Sequence, residues 1–289
     1  MKKVLVLCAA MMAVVFSAKA EISFGYDAGF DLVTSYIWRG QYNGGLSFQP
    51  DAEFGYDGTH TSLRVGAWAN IGASDWMFHK QGWDAGQGQE EPAGYTKFMP
   101  ELDIVGKFTT YGLSVGFNHY YYFGGSNFFS WKSVEELDAD ETNTSTTEVW
   151  AGYNVGDVCP VGLYFNWYTT VAGQDLVYNE NGDPKRAWSS YFEFGYNHTW
   201  ERIGLTLGGV IGMSPWESPI YGNEKFAVTN LTLKLDKEWD LDVVTLNLYA
   251  QGSLNPDHVN KENAIIWKAG DDKLYNQKLN GCIGLGVWF

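Results

Sequence analysis

The stretch that decides the fold is the end of the chain, "LNGCIGLGVWF" at 279–289. Counting back from Phe289, every second residue is apolar or glycine, while the positions between hold Trp288, Cys282, Asn280 and glycines. A period of two places the two sets on opposite faces of a β-strand. The stretch therefore predicts a strand with one apolar face and one small or polar face.

The same alternation recurs along the chain. Over 22–38 the even positions are mostly apolar and the odd positions mostly polar, with Val33 and Ile37 as exceptions. Two segments, 225–237 and 241–251, are noisier because Phe226, Val228 and Val243 fall on the polar face. The pattern predicts about twelve strands, an even number as in bacterial single-chain barrels. After the first, they run over 47–57, 62–71, 96–109, 111–123, 145–155, 159–170, 187–199, 202–213, 225–237, 241–251 and 278–289.

Short and long connections alternate between these segments. The short ones are at 56–60, 109–112, 154–160, 199–204 and 237–240, and the long ones lie near 41–46, 72–95, 124–144, 171–186, 214–224 and 252–277. Outer-membrane barrels have short periplasmic turns and long extracellular loops. We therefore expect an all-β fold, a transmembrane antiparallel up-and-down β-barrel with both termini on the periplasmic side.

The composition agrees with a barrel. Aromatic residues make up 17% of the chain, glycines number 34 and the mean hydropathy is −0.24. Beyond the first twenty residues, no apolar run reaches the length of a membrane helix. In a barrel the apolar signal is diluted by alternation.

The N-terminus has the pattern of a secretory signal peptide. Lys2 and Lys3 precede an apolar run that ends before the small-x-small site at 18–20. We expect cleavage after Ala20, leaving a single domain over 21–289 in the outer membrane of a Gram-negative bacterium. Loss of Lys2, Lys3 and Lys19 takes the net charge from −15 to −18, which argues against a nucleic-acid partner.

Two cysteines, Cys159 and Cys282, remain after that cleavage, too few for a disulfide framework. Whether they are free or form a single bridge stays open.

Aromatic residues cluster towards the strand ends on the apolar face. Such rings prefer the headgroup level of a bilayer, so these residues predict two interfacial girdles. The girdle residues are Tyr36, Trp38, Phe54, Tyr56, Phe108, Tyr111, Tyr121, Phe123, Trp167, Trp188, Tyr196 and Trp200.

The N-terminal region also resembles a known family. The run Val33-Thr34-Ser35-Tyr36-Ile37-Trp38-Arg39-Gly40, then Gln49-Pro50, then Gly66-Ala67-Trp68-Ala69-Asn70 is similar to the opening of the TorF-type porins. The resemblance covers about residues 29–70. It implies an outer-membrane barrel that acts as a passive pore, and it supplies no substrate and no catalytic residues.

Alternation predicts which charged side chains point into the barrel. We expect Arg39 and Arg64 to face Glu53, Glu101 and Asp103 across a constriction, with Arg39 as a gating or selectivity residue. Alternatively, these groups form ion pairs that brace the wall. Acids outnumber bases, which weakly favours cations or neutral solutes. The predicted pore-lining residues are Asp31, Arg39, Asp51, Glu53, Arg64, Trp68, Glu101, Asp103, Lys107, Glu148, Glu193 and Lys234, with Asp236 beside them.

Two features could carry other chemistry. His119 falls on the lipid face near the outer rim, where a lipid-modifying enzyme would hold its catalytic histidine, but Phe117 and Tyr121 supply no serine there. The acidic loop 134–146 begins like a calcium loop yet has Asn143 in place of the required glycine. We expect no catalytic site, no resident metal and no cofactor.

The sequence thus predicts a porin-like channel for the passive passage of small polar solutes. The alternatives are a phospholipase or acyltransferase barrel and a structural or adhesive barrel. The expected partners are the lipid bilayer, small polar solutes, and the outer-membrane assembly machinery, which would recognise the strand that ends at Phe289. The transported solute and the oligomeric state are left open.

Overall fold

The structure is a computed structural model, and it describes residues 23–72, 101–123, 128, 145–157, 159–173, 175–178, 184–257 and 279–289. The predicted signal peptide, most of the acidic loop 134–146 and the start of the segment 96–109 lie outside these residues. Within the described part of the chain, no helix is long and apolar enough to cross a membrane.

The described residues contain sixteen strands. They are β1 Ser23–Val33, β2 Tyr36–Trp38, β3 Gln41–Gly44, β4 Ser47–Asp57, β5 Thr61–Gly72, β6 Glu101–Thr110, β7 Leu113–Tyr122, β8 Ser145–Asn154, β9 Leu163–Gly173, β10 Leu176–Tyr178, β11 Pro184–Arg186, β12 Ser190–Trp200, β13 Leu205–Ser214, β14 Ala227–Asp240, β15 Thr245–Leu254 and β16 Leu279–Trp288. Two short 3₁₀ turns occupy Val155–Asp157 and Glu201–Ile203.

Twelve of these strands form a closed antiparallel barrel in the order β1-β16-β15-β14-β13-β12-β9-β8-β7-β6-β5-β4. The barrel closes where β1 pairs with β16, with Phe30 opposite Val287 and Leu32 opposite Leu285. The predicted twelve-stranded all-β barrel is therefore confirmed. The four remaining strands form two small hairpins, β2–β3 and β10–β11.

The wall alternates between an apolar outer face and a polar inner face. On β16, Leu279 and Ile283 are 70% and 58% exposed, whereas Asn280 and Cys282 between them are buried. The wall strands are 10 to 14 residues long, enough to span a hydrocarbon core when tilted. The exposed apolar residues thus form the lipid-facing belt expected of a membrane barrel.

A β-bulge explains one of the noisy segments. The register between β13 and β14 shifts at Gly212 and Met213, so that Met213 pairs with Val228 while Gly212 pairs with Asn230. Thr229 is the extra residue. Because of the bulge, Val228 lies on the outer face, whereas plain alternation places it in the lumen together with Asn230. Val243 is not in a strand: it lies in the β14–β15 turn and is 81% exposed.

The structure corrects the predicted first strand, which ends at Val33 and does not continue to Trp38. Residues 36–44, here called the plug hairpin, form β2, a turn at Arg39 and Gly40, and β3. Both turn residues have positive φ, 48° and 83°, as a tight two-residue hairpin turn requires. The plug hairpin folds into the lumen, and Tyr36 is only 7% exposed. Tyr36 and Trp38 are therefore not girdle residues.

The lipid-facing belt generates a prediction. Leu233 lies at the middle of β14 and is 66% exposed, so Leu233→Arg should destabilise the folded protein in lipid vesicles by about 2–4 kcal/mol, as charges do at the bilayer midplane. The control is Val243→Arg in the short turn, expected to cost less than about 1 kcal/mol. Urea unfolding in vesicles measures both. Equal costs would contradict the assignment of β14 to the membrane.

Candidate functional site

The plug hairpin crosses the barrel from one side to the other. Tyr36 packs against Trp68 of β5, with ring centroids 5.3 Å apart. Trp38 meets Tyr120 of β7 edge to face at 5.9 Å. Asn280 of β16, the wall neighbour of β1, donates a hydrogen bond to the Gly40 carbonyl at 2.9 Å. The plug hairpin thus contacts several wall strands around the lumen, and it fills the lumen at the end where the long loops emerge.

Arg39 at the tip of the plug hairpin is enclosed by aromatic rings. Its guanidinium carbon lies 3.9 Å from the ring centre of Tyr168 on β9, 4.9 Å from that of Tyr191 on β12, and 4.6 Å from that of Trp38. Such contacts attract a cation to the ring faces, most strongly when water is excluded. The Arg39 side chain is only 8% exposed.

Glu148 on β8 neutralises this arginine. The two guanidinium Nη atoms donate to the two carboxylate oxygens at 2.6 and 2.9 Å, a bidentate pair. Asn118 and Tyr120 of β7 donate to the Glu148 Oε1 atom at 2.7 and 2.6 Å. The carboxylate therefore receives four hydrogen bonds, which compensate for the loss of water around it.

A second loop, residues 215–226 between β13 and β14, covers the plug hairpin and is here called the lid loop. The Tyr221 ring stacks on Trp38, with centroids 5.8 Å apart and planes 8° from parallel, and it also stacks on Tyr191 at 5.3 Å. Its hydroxyl accepts a hydrogen bond from Arg39. The Gln41 side chain donates to the Ile220 carbonyl at 3.1 Å. The plug hairpin and the lid loop thus close the long-loop end together.

The lid loop is itself tied to its neighbours. Ser218 donates from its hydroxyl to the Ser189 hydroxyl at 2.7 Å, and the Trp216 indole donates to the Trp188 carbonyl at 3.0 Å. The Asp175 carboxylate accepts from the Ser189 amide at 3.0 Å. Burial raises the pKa of the Asp175 carboxyl, and the hydrogen bonds from Ser189 partly oppose that shift. The lid loop and the β9–β12 connection are therefore joined above the lumen.

Gly40 lets the turn approach the wall. A Cβ atom at this position would lie 2.8 Å from the Asn230 Oδ1 atom and 3.0 Å from the Thr229 carbonyl oxygen, and its φ of 83° also disfavours other residues. Asn230 in turn donates to the Tyr191 hydroxyl at 3.0 Å. The turn and the aromatic cage around Arg39 therefore depend on the same side chain of β14.

The predicted ladder of charges is arranged differently from the expectation. Arg39 pairs with Glu148, not with Glu53, Glu101 or Asp103. Arg64 lies near the short-turn end and forms its own cluster. It contacts Asp27 at 2.6 Å and Glu53 at 3.6 Å, and it also pairs with Asp57. The two arginines thus belong to separate clusters at opposite ends of the lumen.

The other predicted positions spread along the inner wall. Glu101 and Asp103 are buried on β6, and Trp68 packs against the plug hairpin. Lys234 pairs with Asp236 at 3.1 Å and lies over the Tyr249 ring at 4.0 Å. Asn166 donates to Glu193 at 3.4 Å. Asp31 lies on β1 and Asp51 on β4. Lys107 of β6 is the cross-strand neighbour of Arg64 on β5.

The sequence did not indicate the aromatic part of the cage. Tyr168 and Tyr191 sit at inward positions of their strands, so alternation could have identified them had rings been considered alongside charges. Tyr221 lies in a loop and carries no periodic signal. Cys159 and Cys282 are both free thiols. Among the described residues, no group of three His, Cys, Asp or Glu side chains is placed to hold a metal ion.

Comparison with known proteins adds one structural likeness. No protein-family model matches the chain, and no curated protein is similar to it in sequence. Among solved structures, the chain is similar to one described as "Salmonella typhi OmpF complex with Daunomycin", with a TM-score of 0.38 and 9% identity over 93% of this chain and 98% of that one. The fold assignment rests on the closed strand order and not on this likeness.

The buried ion pair generates a prediction about stability. Arg39→Ala leaves Glu148 as a buried charge without its cation, so the free energy of unfolding should fall by about 3–5 kcal/mol. The matched control is Arg64→Ala, because its carboxylate partners are 26% to 62% exposed and each such pair contributes about 0–1 kcal/mol. Urea unfolding in vesicles compares the two. A smaller loss at Arg39 than at Arg64 would contradict the central role of the caged pair.

Proposed function

We propose that the protein is an outer-membrane channel for small polar solutes whose outer end is narrowed by the plug hairpin. The observation that carries the proposal is the position of this hairpin, which spans the lumen of a closed twelve-stranded barrel and contacts its wall through side chains. In this orientation the long-loop end is extracellular and the short-turn end is periplasmic. The start of β1 and the end of β16 lie at the periplasmic end.

The dimensions favour small solutes. Twelve strands spaced about 4.8 Å apart and tilted about 40° give a backbone radius of roughly 12 Å. Inward side chains and the plug hairpin occupy much of that section. Barrels of eight strands have filled interiors and those of sixteen have open channels. An intermediate barrel with an internal hairpin is suited to selective passage.

The charge distribution supports a preference for cations. Arg39 is neutralised by Glu148, and Arg64 is surrounded by three carboxylates. Among the described residues, Asp31, Asp51 and Glu193 form no ion pair with a basic side chain. A lumen with an excess of carboxylates raises the local concentration of cations.

The environment of His119 supports a function that is not enzymatic. The ring is 3% exposed, with one nitrogen 2.8 Å from the Thr147 hydroxyl and the other 2.8 Å from the Phe128 carbonyl oxygen. Phe128 also packs edge to face on the ring at 5.2 Å. A histidine enclosed in this way has no access to a lipid substrate. We expect purified protein to hydrolyse no phospholipid.

Two further partners belong to the proposal. The outer belt of exposed Leu, Ile, Val and Phe side chains suits the lipid bilayer. The Phe289 amide donates to the Ala28 carbonyl at 2.8 Å, so the last residue continues the pairing that closes the barrel. Its 63% exposed side chain is available to the assembly machinery that inserts such strands.

The first test of the channel is conductance in planar bilayers. Replacement of the plug hairpin, residues 36–44, by a short glycine–serine linker removes the obstruction, so the single-channel conductance should rise above that of the unmodified protein. The control replaces 242–244, in a short turn outside the lumen, and should leave conductance unchanged. Folded protein that conducts in neither form would refute the channel.

The second test is ion selectivity. The double variant Asp31→Asn with Asp51→Asn removes two unpaired carboxylates from the inner wall, so the cation preference should decrease. The reversal potential in a salt gradient measures this preference. Asp240→Asn, an exposed acid at the end of β14, is the control. A reversal potential unaffected by the double variant would contradict the role of these acids.

A further inference from the structure

The groups around Arg39 have the composition of a binding site for a cation. Glu148 supplies two carboxylate oxygens, Tyr168 and Tyr191 supply ring faces, and Tyr221 supplies a hydroxyl acceptor. Four different elements contribute: β8, β9, β12 and the lid loop. Glu148, Tyr191 and Tyr221 are each at most 3% exposed. These groups are here called the wall cage.

The wall cage is matched to a guanidinium group in particular. A planar guanidinium presents parallel N–H donors to both carboxylate oxygens while its faces stack on aromatic rings. An ammonium ion is a compact point charge without a planar fork, so it cannot present parallel N–H donors to both oxygens while a flat face stacks on a ring. Arg39 uses both, because its Nη atoms reach the two oxygens and its guanidinium carbon lies 3.9 Å from the Tyr168 ring centre.

Arg39 itself is not part of the wall. It belongs to the plug hairpin, whose strands pair with each other and with no wall strand. The chain leaves the wall at Thr34, whose amide and hydroxyl both contact the Ile283 backbone at 2.9 Å. Arg39 is therefore a tethered group that occupies a site built by other elements.

We propose that the wall cage is a binding site for solutes that carry a guanidinium group, and that Arg39 is a built-in competitor for it. This inference deepens the proposed channel function by naming a solute class. Arg39 is held at the wall cage by the packing of the plug hairpin as well as by its tether, so its effective concentration exceeds the millimolar value of a short flexible linker. A guanidinium solute that competes successfully with Arg39 would take over its contacts with Glu148 and loosen the plug hairpin.

The decisive test measures binding after Arg39 is removed. The probe is N-ethylguanidinium, which reproduces the end of the arginine side chain, added to folded Arg39→Ala protein in detergent. It should raise the thermal midpoint saturably, with a half-saturating concentration at least about tenfold below that of ethylammonium, because a charge-assisted hydrogen bond is lost with the latter. Unmodified protein should require more probe, since Arg39 competes.

Two variants control this test. Arg39→Ala with Glu148→Gln removes the charged acceptor and should abolish the saturable shift. Arg64→Ala vacates an arginine position that has no aromatic ring contact among the described residues. N-ethylguanidinium should therefore cause no additional saturable rise of the thermal midpoint in this variant. Equal responses in these variants and in Arg39→Ala would overturn the proposal. If Arg39→Ala does not yield a heat-modifiable folded form, Arg39→Gln vacates the same position with a smaller perturbation and carries the same expectation.

Conductance separates this inference from the channel itself. Arginine added on the long-loop side should increase the conductance of unmodified protein, whereas citrulline, which has the same shape without the charge, should not. If N-ethylguanidinium binds saturably but neither the unmodified protein nor the variant without the plug hairpin conducts, the channel is refuted and the proposed guanidinium site is retained. Conductance that is insensitive to arginine, together with no binding in Arg39→Ala, would refute the wall cage alone.

Discussion

The closure of β1 on β16 is the constraint on which the rest of the structure depends. A strand edge within a bilayer would leave backbone amides and carbonyls without partners, so a sheet can span lipid only as a closed cylinder. Here the apolar residues of β1 and β16 lie opposite one another in register, and the terminal amide of Phe289 extends the pairing to Ala28. Closure makes lipid the apolar solvent for the outer face and leaves the inner face for polar groups.

The lumen of a twelve-stranded barrel is too wide for inward side chains alone to fill it. The chain does so with the plug hairpin, which leaves the wall after Val33 and brings Arg39 to the far side of the lumen. A buried arginine is costly unless it is paired and hydrogen-bonded. Glu148, three aromatic rings and the Tyr221 hydroxyl meet that requirement and hold the hairpin without a backbone ladder to the wall. The sequence offered two alternative roles for Arg39, bracing the barrel wall or controlling passage through the lumen. The ion pair with Glu148 is compatible with both.

The architecture was predictable because its signal is local. Alternation along a strand, the difference between short and long connections and the even number of segments all follow from the chemistry of a wall between lipid and water. The exceptions are informative. Val228 departed from the pattern because the bulge at Thr229 shifts the phase, and Val243 departed because it belongs to a turn. The aromatic pattern failed at Tyr36 and Trp38, where the chain had already left the wall.

The sequence by itself therefore determined the barrel, its strand number and the inward direction of most charged side chains, since each depends on a period of two residues. Only the tertiary structure decided which charges meet. Arg39 and Glu148 are separated by 109 positions, and Arg39 and Tyr221 by 182. Their contact depends on the register of several strands and on the path of two loops, and loops have no period from which a path can be derived. For that reason the wall cage exists only in the folded barrel.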